Sequence, residues 1–298
     1  MTAPESVEIV EVAPRDGLQN ASVILSTAAK IDLIARAVAA GARRIEVASF
    51  VNPARVPQMA DAEAVVAGLP RGVARYIGLA LNLRGFERAL AARMDEVNFS
   101  LMASDTFNRR NQGAGTSETL AVWAQVQQAA RGQVPVGLTI GAAFGCPFEG
   151  EVPLARLMAV LEQAMAHPPA ELALADTIGV AVPRDVAARV TAVRAAYPDV
   201  PLRLHLHNTR NTGIANAWAG VMAGIRVLDA SLGGVGGCPF APRATGNIAT
   251  EDLVYMLERS GVATGMNLDA CIAAAGWLEG QLGQTLPGMV MKAGGFPA

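Results

Sequence analysis

Pro201-Leu202-Arg203-Leu204-His205-Leu206-His207-Asn208-Thr209 decides how this chain is read. It reads as a strand running into a loop. Residues two apart on a strand point to the same face, so both imidazoles project into one small volume. They are two of only three histidines in 298 residues. Two neutral nitrogen donors on one face are what a divalent metal needs. Helical apolar spacing follows at 211–223, so the stretch opens a strand–helix unit.

The same unit recurs on both sides of it. Strands are expected at 7–13, 43–48, 73–80, 96–101, 134–142, 171–175, 202–207 and 226–231. Helices are expected at 27–40, 58–67, 86–92, 118–130, 154–166, 184–196, 211–223 and 251–259. Eight units within about 250 residues predict a closed (β/α)8 TIM barrel. A doubly wound open sheet is the alternative, but it rarely keeps eight regular repeats. Residues 267–283 suit extra C-terminal helices packed on the barrel. No linker, low-complexity tract or charge block divides the chain, so 1–298 is read as a single domain.

Composition fits an enclosed α/β protein, whose parallel strands are covered on both faces: 52% of residues are hydrophobic and 17% charged. A net charge of −2 gives no electrostatic case for nucleic acid or an acidic membrane. Aromatics at 5% offer no base-stacking platform. Mean hydropathy is high at +0.31, yet no apolar run approaches the ~20 residues of a membrane span. Residues 1–6 carry no secretory signal, so a cytoplasmic location is expected. Cys146, Cys238 and Cys271 make an odd count without a CxxC pair, which supports neither a disulfide framework nor a zinc ribbon.

In a barrel, chemistry sits where strands end and βα loops begin. Those positions hold Arg15-Asp16-Gly17 after strand one, Glu46 on strand two and Asp176-Thr177 after strand six. They also hold His205 and His207 on strand seven, then the Gly233–Cys238 run and Asn247 after strand eight. Polar groups thus converge on one rim of an apolar protein. Each has a plain structural alternative. Asp16 could cap a turn, Asp176 could cap a helix, and the histidines could be hydrogen-bonded core imidazoles. Cys238 could be an inert small hydrophobe. His167, before Pro168-Pro169, reads as structural. The glycine run lacks G-x-G-x-x-G spacing and reads as a mobile loop over the rim.

Asp16, His205 and His207 would supply one oxygen and two nitrogens, and Asn247 a neutral carbonyl oxygen. That set leaves open positions on an octahedral Mg2+ or Mn2+. Open positions imply a chelating substrate with adjacent oxygens, whose hydroxyl would become more acidic. Arg15 can steady a developing enolate or carboxylate. Cys238 could move a proton or exclude water once its loop closes. Carbon–carbon cleavage or formation beside a carbonyl follows; metal-assisted hydrolysis stays open.

At this point the residues resemble the 3-hydroxy-3-methylglutaryl-CoA lyase family. The resemblance is carried by Val10-Glu11-Val12-Ala13-Pro14-Arg15-Asp16-Gly17-Leu18-Gln19-Asn20, Glu46-Val47-Ala48-Ser49-Phe50-Val51 and Phe144-Gly145-Cys146-Pro147-Phe148-Glu149-Gly150. Ala175-Asp176-Thr177-Ile178-Gly179-Val180 and the block from Leu232 to Asp252 complete it. It covers about residues 7–270. It implies a metal-dependent lyase that splits 3-hydroxy-3-methylglutaryl-CoA, or a related 3-hydroxyacyl-CoA, into acetyl-CoA and a keto acid, acetoacetate for the parent substrate. The implied metal ligands are Asp16, His205, His207 and Asn247. The implied catalytic set is Arg15, Asp16, Glu46, Asp176, His205 and Cys238, with His205 as the base and Glu46 and Asp176 as supporting acid/base and orienting carboxylates.

The wider superfamily includes aldolases and Claisen-type synthases, which form the alternative reading. Its isopropylmalate and homocitrate synthases usually carry Glu where Leu18 stands. Barrels of this type often pair, which leaves room for a homodimer. This chain departs from the family pattern at Ala21, Asn208, Thr139, Gly141 and Arg243. The smaller residues on strand five predict an enlarged or reshaped acyl pocket. No nucleotide motif identifies the residues that hold CoA.

Overall fold

The structure is a computed structural model that describes residues 3–237 and 246–297. Eight parallel strands close on themselves: β1 (Glu8–Glu11), β2 (Arg44–Ser49), β3 (Arg75–Ala80), β4 (Glu96–Met102), β5 (Val136–Gly141), β6 (Leu172–Asp176), β7 (Leu202–Leu206) and β8 (Val227–Ala230). Each pairs with its neighbour in sequence, and β1 pairs with both β2 and β8. The barrel is the predicted one. Helices α1 (Thr27–Ala39), α2 (Ala62–Ala67), α3 (Leu83–Ala91), α4 (Asp105–Gln112), α5 (Thr116–Ala130), α6 (Leu154–Ala164), α7 (Pro183–Ala196), α8 (Gly213–Met222) and α9 (Thr250–Arg259) lie between and after the strands. The expected C-terminal additions are α10 (Leu268–Leu282) and the short α11 (Val290–Ala293).

The strands are buried on both faces, as parallel strands under helices must be. The outward face meets the helices through Ile45, Val97, Leu138, Leu174 and Leu204, all in the main apolar cluster. The inward face is far more polar. A small separate apolar cluster of Val10, Val12 and Ile77, with Val227 against it, occupies one side of the barrel interior. Much of the rest is ionic. Arg44 donates to Glu96 and to both oxygens of Glu171 at 2.8 and 2.9 Å. Arg203 pairs with Glu171 at 3.0 Å and donates to Asp229 at 3.0 Å. Burying such charges is tolerable only because each is paired; removing one partner typically costs about 3–5 kcal/mol.

Two local features depart from the sequence expectation. The helix expected at 58–67 is split into a 3-10 turn, Pro57–Met59, and α2. The Gln58 carbonyl accepts from Lys30 Nζ at 2.6 Å, and Asp61 is held by Thr27 and Lys30, so neither is free to continue or cap one helix. Helix α4 was not expected at all. Its polar sequence, Asp105-Thr106-Phe107-Asn108-Arg109-Arg110-Asn111-Gln112, has no apolar period. Ser104 caps it by accepting from Phe107 N at 3.3 Å, and Gly113 ends it at φ +79°.

Candidate active site

After β1 the backbone makes a single π-helical turn, Ala13–Gly17. The amides of Arg15, Asp16 and Gly17 all donate to the Val12 carbonyl, at 3.2, 2.8 and 3.2 Å. Such turns often mark functional positions. Here the turn presents Arg15 and Asp16 to the mouth of the barrel.

Arg15 is the organiser of this side. Its Nε donates to Glu46 Oε2 at 2.9 Å, its Nη2 donates to the same oxygen, and its Nη1 donates to Asp16 Oδ1 at 2.6 Å. Three of five N–H groups are thereby spent, and the other two remain for a ligand. Glu46 points inward from β2, as expected. Its second oxygen accepts from Asn98 Nδ2 at 3.4 Å, and Asn98 Oδ1 accepts from Thr139 Oγ1 at 3.1 Å. The Thr139 hydroxyl is therefore committed to orienting Asn98.

The histidines come from the end of β7. His205 Nε2 lies 3.2 Å from His207 Nε2 and 3.8 Å from Asp16 Oδ2. Asn247 arrives from beyond β8 through an antiparallel bridge to His207. Its amide nitrogen donates to Asp16 Oδ2 at 2.8 Å and to the Val235 carbonyl at 3.1 Å. With both hydrogens spent, the carbonyl oxygen is left toward His207. The close approach needs glycine at 236: its φ is +114°, and a Cβ there would sit 2.6 Å from the Asn247 amide.

These groups fit a divalent cation. One ligand atom each from Asp16, His205 and His207 lie within 4.8 Å of one another. Burial favours a neutral Asp16, but Arg15, both imidazoles and the Asn247 amide more than offset this and hold its carboxyl well below the usual range. Burial, then His205, pushes His207 down to about 4, so it stays neutral with a lone pair to give. Burial also opposes a charged His205, yet the hydrogen bond that its Nδ1–H donates to Asp229 and the charges of Asp16 and Asp229 raise it overall. An ionised oxygen facing two converging imidazole nitrogens is a hard, open donor set with no thiolate among the described residues.

The cavity between these walls measures about 150 Å³. Asn98, Ser100 and Met102 reach it from β4, Thr139 and Gly141 from β5, and Ala175 and Thr177 from around the end of β6. Helix α4 adds Phe107 and Asn111. Sequence reasoning missed Asn98, Asp229 and Arg203. Strand parity carried the signal: Asn98 shares a face with Ser100, and Arg203 shares one with His205.

Asp176 requires a correction. Its two oxygens accept from the backbone amides of Val180 and Ala181 at 2.9 and 3.0 Å. Its neighbours Ala175 and Thr177 line the cavity and it does not. The carboxylate orders the loop after β6 rather than facing substrate as an acid or base, because alternation turns it away. Asn208 is likewise occupied, accepting from Gly213 N at 3.0 Å at the start of α8. Cys238 and Arg243 lie outside the described residues.

The protein family described as HMGL-like matches residues 6–277. An (R)-citramalyl-CoA lyase of Chloroflexus aurantiacus is 49% identical over 97% of this chain and 95% of its own. The hydroxymethylglutaryl-CoA lyase YngG of Bacillus subtilis is 40% identical over 96% of this chain and 97% of its own. Among solved structures, an HMG-CoA lyase of Acinetobacter baumannii in complex with coenzyme A and 3-methylmalate superposes with a TM-score of 0.94 at 39% identity, covering 100% of both chains. With its barrel and these relatives in agreement, the chain belongs to the HMGL-like family.

Proposed function

We propose that this protein is a divalent-metal-dependent lyase that cleaves a 3-hydroxyacyl-CoA thioester to acetyl-CoA and a keto acid. The observation that carries the reading is the convergence of Asp16, His205 and His207 in one cavity with Arg15 directly beside Asp16. Asp16, His205, His207 and Asn247 would hold Mg2+ or Mn2+, which would acidify a chelated substrate hydroxyl.

The chain's own groups do the rest. His205 Nε2 would give its one lone pair to the cation and so cannot also be the base; the substrate hydroxyl passes its proton to the Asp16 carboxylate, whose Oδ2 lies 3.8 Å from that nitrogen. The O–H electron pair becomes the new carbonyl, and the C2–C3 pair passes to the thioester as an enolate. Arg15 steadies that enolate with the N–H groups that Glu46 and Asp16 leave free. Glu46 fixes the guanidinium plane. The enolate carbon then takes a proton to give acetyl-CoA, a step we assign to Cys238 from the family resemblance.

The parent substrate is 3-hydroxy-3-methylglutaryl-CoA, which leaves acetoacetate. A second reading is a citramalyl thioester, favoured by the 49% identity to the citramalyl-CoA lyase. The same bond cleavage would then release pyruvate. Both reactions release acetyl-CoA, so the deciding experiment identifies the keto acid formed from each thioester, with and without Mg2+ or Mn2+. Release of acetyl-CoA from neither, with metal present, defeats the proposal. A cytoplasmic location and a homodimer belong to the same proposal; fractionation and sedimentation velocity test them.

A further inference from the structure

Gly141 was expected to enlarge or reshape the pocket, and the space beside it is filled. A Cβ built there would lie 2.3 Å from Met102 Sδ and 2.9 Å from Met102 Cε. The thioether lies flat against the glycine, and only the missing side chain allows it. The two residues are register partners at the ends of β4 and β5. The Met102 backbone is fixed on both sides: its amide donates to Asn108 Oδ1 at 2.9 Å, and its carbonyl accepts from Thr116 Oγ1 at 3.2 Å. Asn108 is itself fully buried and tied to Thr119 at 2.6 Å. Any change at Gly141 must therefore be taken up by the Met102 side chain, which is flexible and can swing.

Met102 is 7% exposed and lines the small cavity that holds the metal-binding cluster. It stands on a strand inside the barrel, not on a rim loop. A CoA thioester must leave its long arm at the mouth, so a buried strand residue faces the short acyl end. We propose that Met102, seated on Gly141, is the wedge that sets the length of acyl group the site accepts. This rests on the lyase reading above. In this protein the glycine on strand five does not open the pocket; it parks the methionine that closes it.

The test is a ratio. Acetyl-CoA release is measured with Mn2+ on 3-hydroxy-3-methyl thioesters whose distal carboxylate is joined directly to the carbinol carbon, or through one or two methylenes. The ratio of kcat/KM for a longer to a shorter substrate is compared among wild type, Met102→Ala, Met102→Leu and Gly141→Ala. One methylene in an apolar pocket is worth roughly 10–200-fold. Met102→Ala should raise the longer-to-shorter ratio about tenfold or more. Gly141→Ala should drive the thioether into the cavity and lower it by a similar factor. Met102→Leu, close in volume, should keep it. An inactive fraction of any variant cancels from the ratio, so poor folding cannot imitate the result. Ratios within twofold of wild type for both Met102→Ala and Gly141→Ala, with an active wild type, overturn the wedge alone. A wild type that cleaves no thioester in the series defeats the lyase reading and the wedge with it.

Discussion

His205 Nδ1 lies 2.9 Å from Asp229 Oδ2, and the other Asp229 oxygen accepts from Arg203 Nη1 at 3.0 Å. Burial alone would favour a neutral Asp229, but Arg203 and His205 hold it ionised. An ionised carboxylate can only accept, so it fixes the proton on Nδ1 and leaves the His205 lone pair on Nε2, the atom that faces His207 and Asp16. Asp229→Asn reverses this. Its carbonyl would stay with Arg203 and its amide would face Nδ1, forcing the proton to Nε2. We expect Mn2+ affinity, measured by calorimetry on metal-free protein, to fall roughly 10–100-fold. The chain has three histidines, so 15N-labelled imidazole spectra can assign the tautomer directly. A His205 that keeps its Nδ1 proton in the variant would refute the account.

The Arg15 fork predicts a sharp difference between two basic side chains. Lysine at 15 retains the charge but cannot reach Glu46 and Asp16 at once. Arg15→Lys should lower kcat by roughly 10²–10³, the usual cost of losing one such transition-state donor, while substrate KM changes much less. A variant within threefold of wild type in kcat would show that the guanidinium geometry is not used.

Much of this site is legible in the sequence. The histidine pair was readable because a strand has period two, and Asp16 and Arg15 because a barrel puts its loops at one rim. Asp229 and Arg203 were not, because attention to strand ends overlooks charges set deeper in the barrel. Their strands also read as ordinary apolar runs around them. Asp176 was misplaced for a related reason: one residue along a strand reverses the face, and a strand-end carboxylate serves a loop as readily as a site. Helix α4 carries Phe107 and Asn111 to the cavity, yet its packing rests on few apolar side chains, so periodicity could not reveal it.

Asn247 supplies another test of the ligand set. Its amide already satisfies Asp16 and Val235, and its oxygen is the part proposed for the cation. Asn247→Asp keeps an oxygen but adds a negative charge and removes the donor to Asp16. Asn247→Ala removes both. Titration of metal-free protein should show Mn2+ affinity lowered roughly tenfold or more in the alanine variant. Unchanged affinity there would remove Asn247 from the set. Chelator treatment of wild type should abolish acetyl-CoA release, and added Mn2+ should restore it.

The last prediction concerns two buried carboxylates outside the chemistry. Glu11 accepts from Ala13 N at 2.8 Å, Leu232 N at 3.0 Å and Thr250 Oγ1 at 2.6 Å, tying β1 to the turn after β8. Glu251 accepts from Gly233 N at 3.0 Å in the same turn. Burial raises Glu11 to about 7 and Glu251 to about 8, with their hydrogen bonds opposing the rise. Both folded values lie above the value of 4.5 that serves for the unfolded chain, so the native state binds more protons. Their contribution is complete below about pH 4.5 and is lost as pH rises through about 7 to 8. Asp16 and Asp229, held low, act with the opposite sign but only toward strong acid. Melting temperature should therefore drop by roughly 5 °C or more between pH 6 and pH 9. Glu251→Gln can still accept from Gly233 and carries no charge, so its melting curve should be flatter over that range. If wild type and Glu251→Gln lose stability in parallel as pH rises, the alkaline loss arises elsewhere in the barrel.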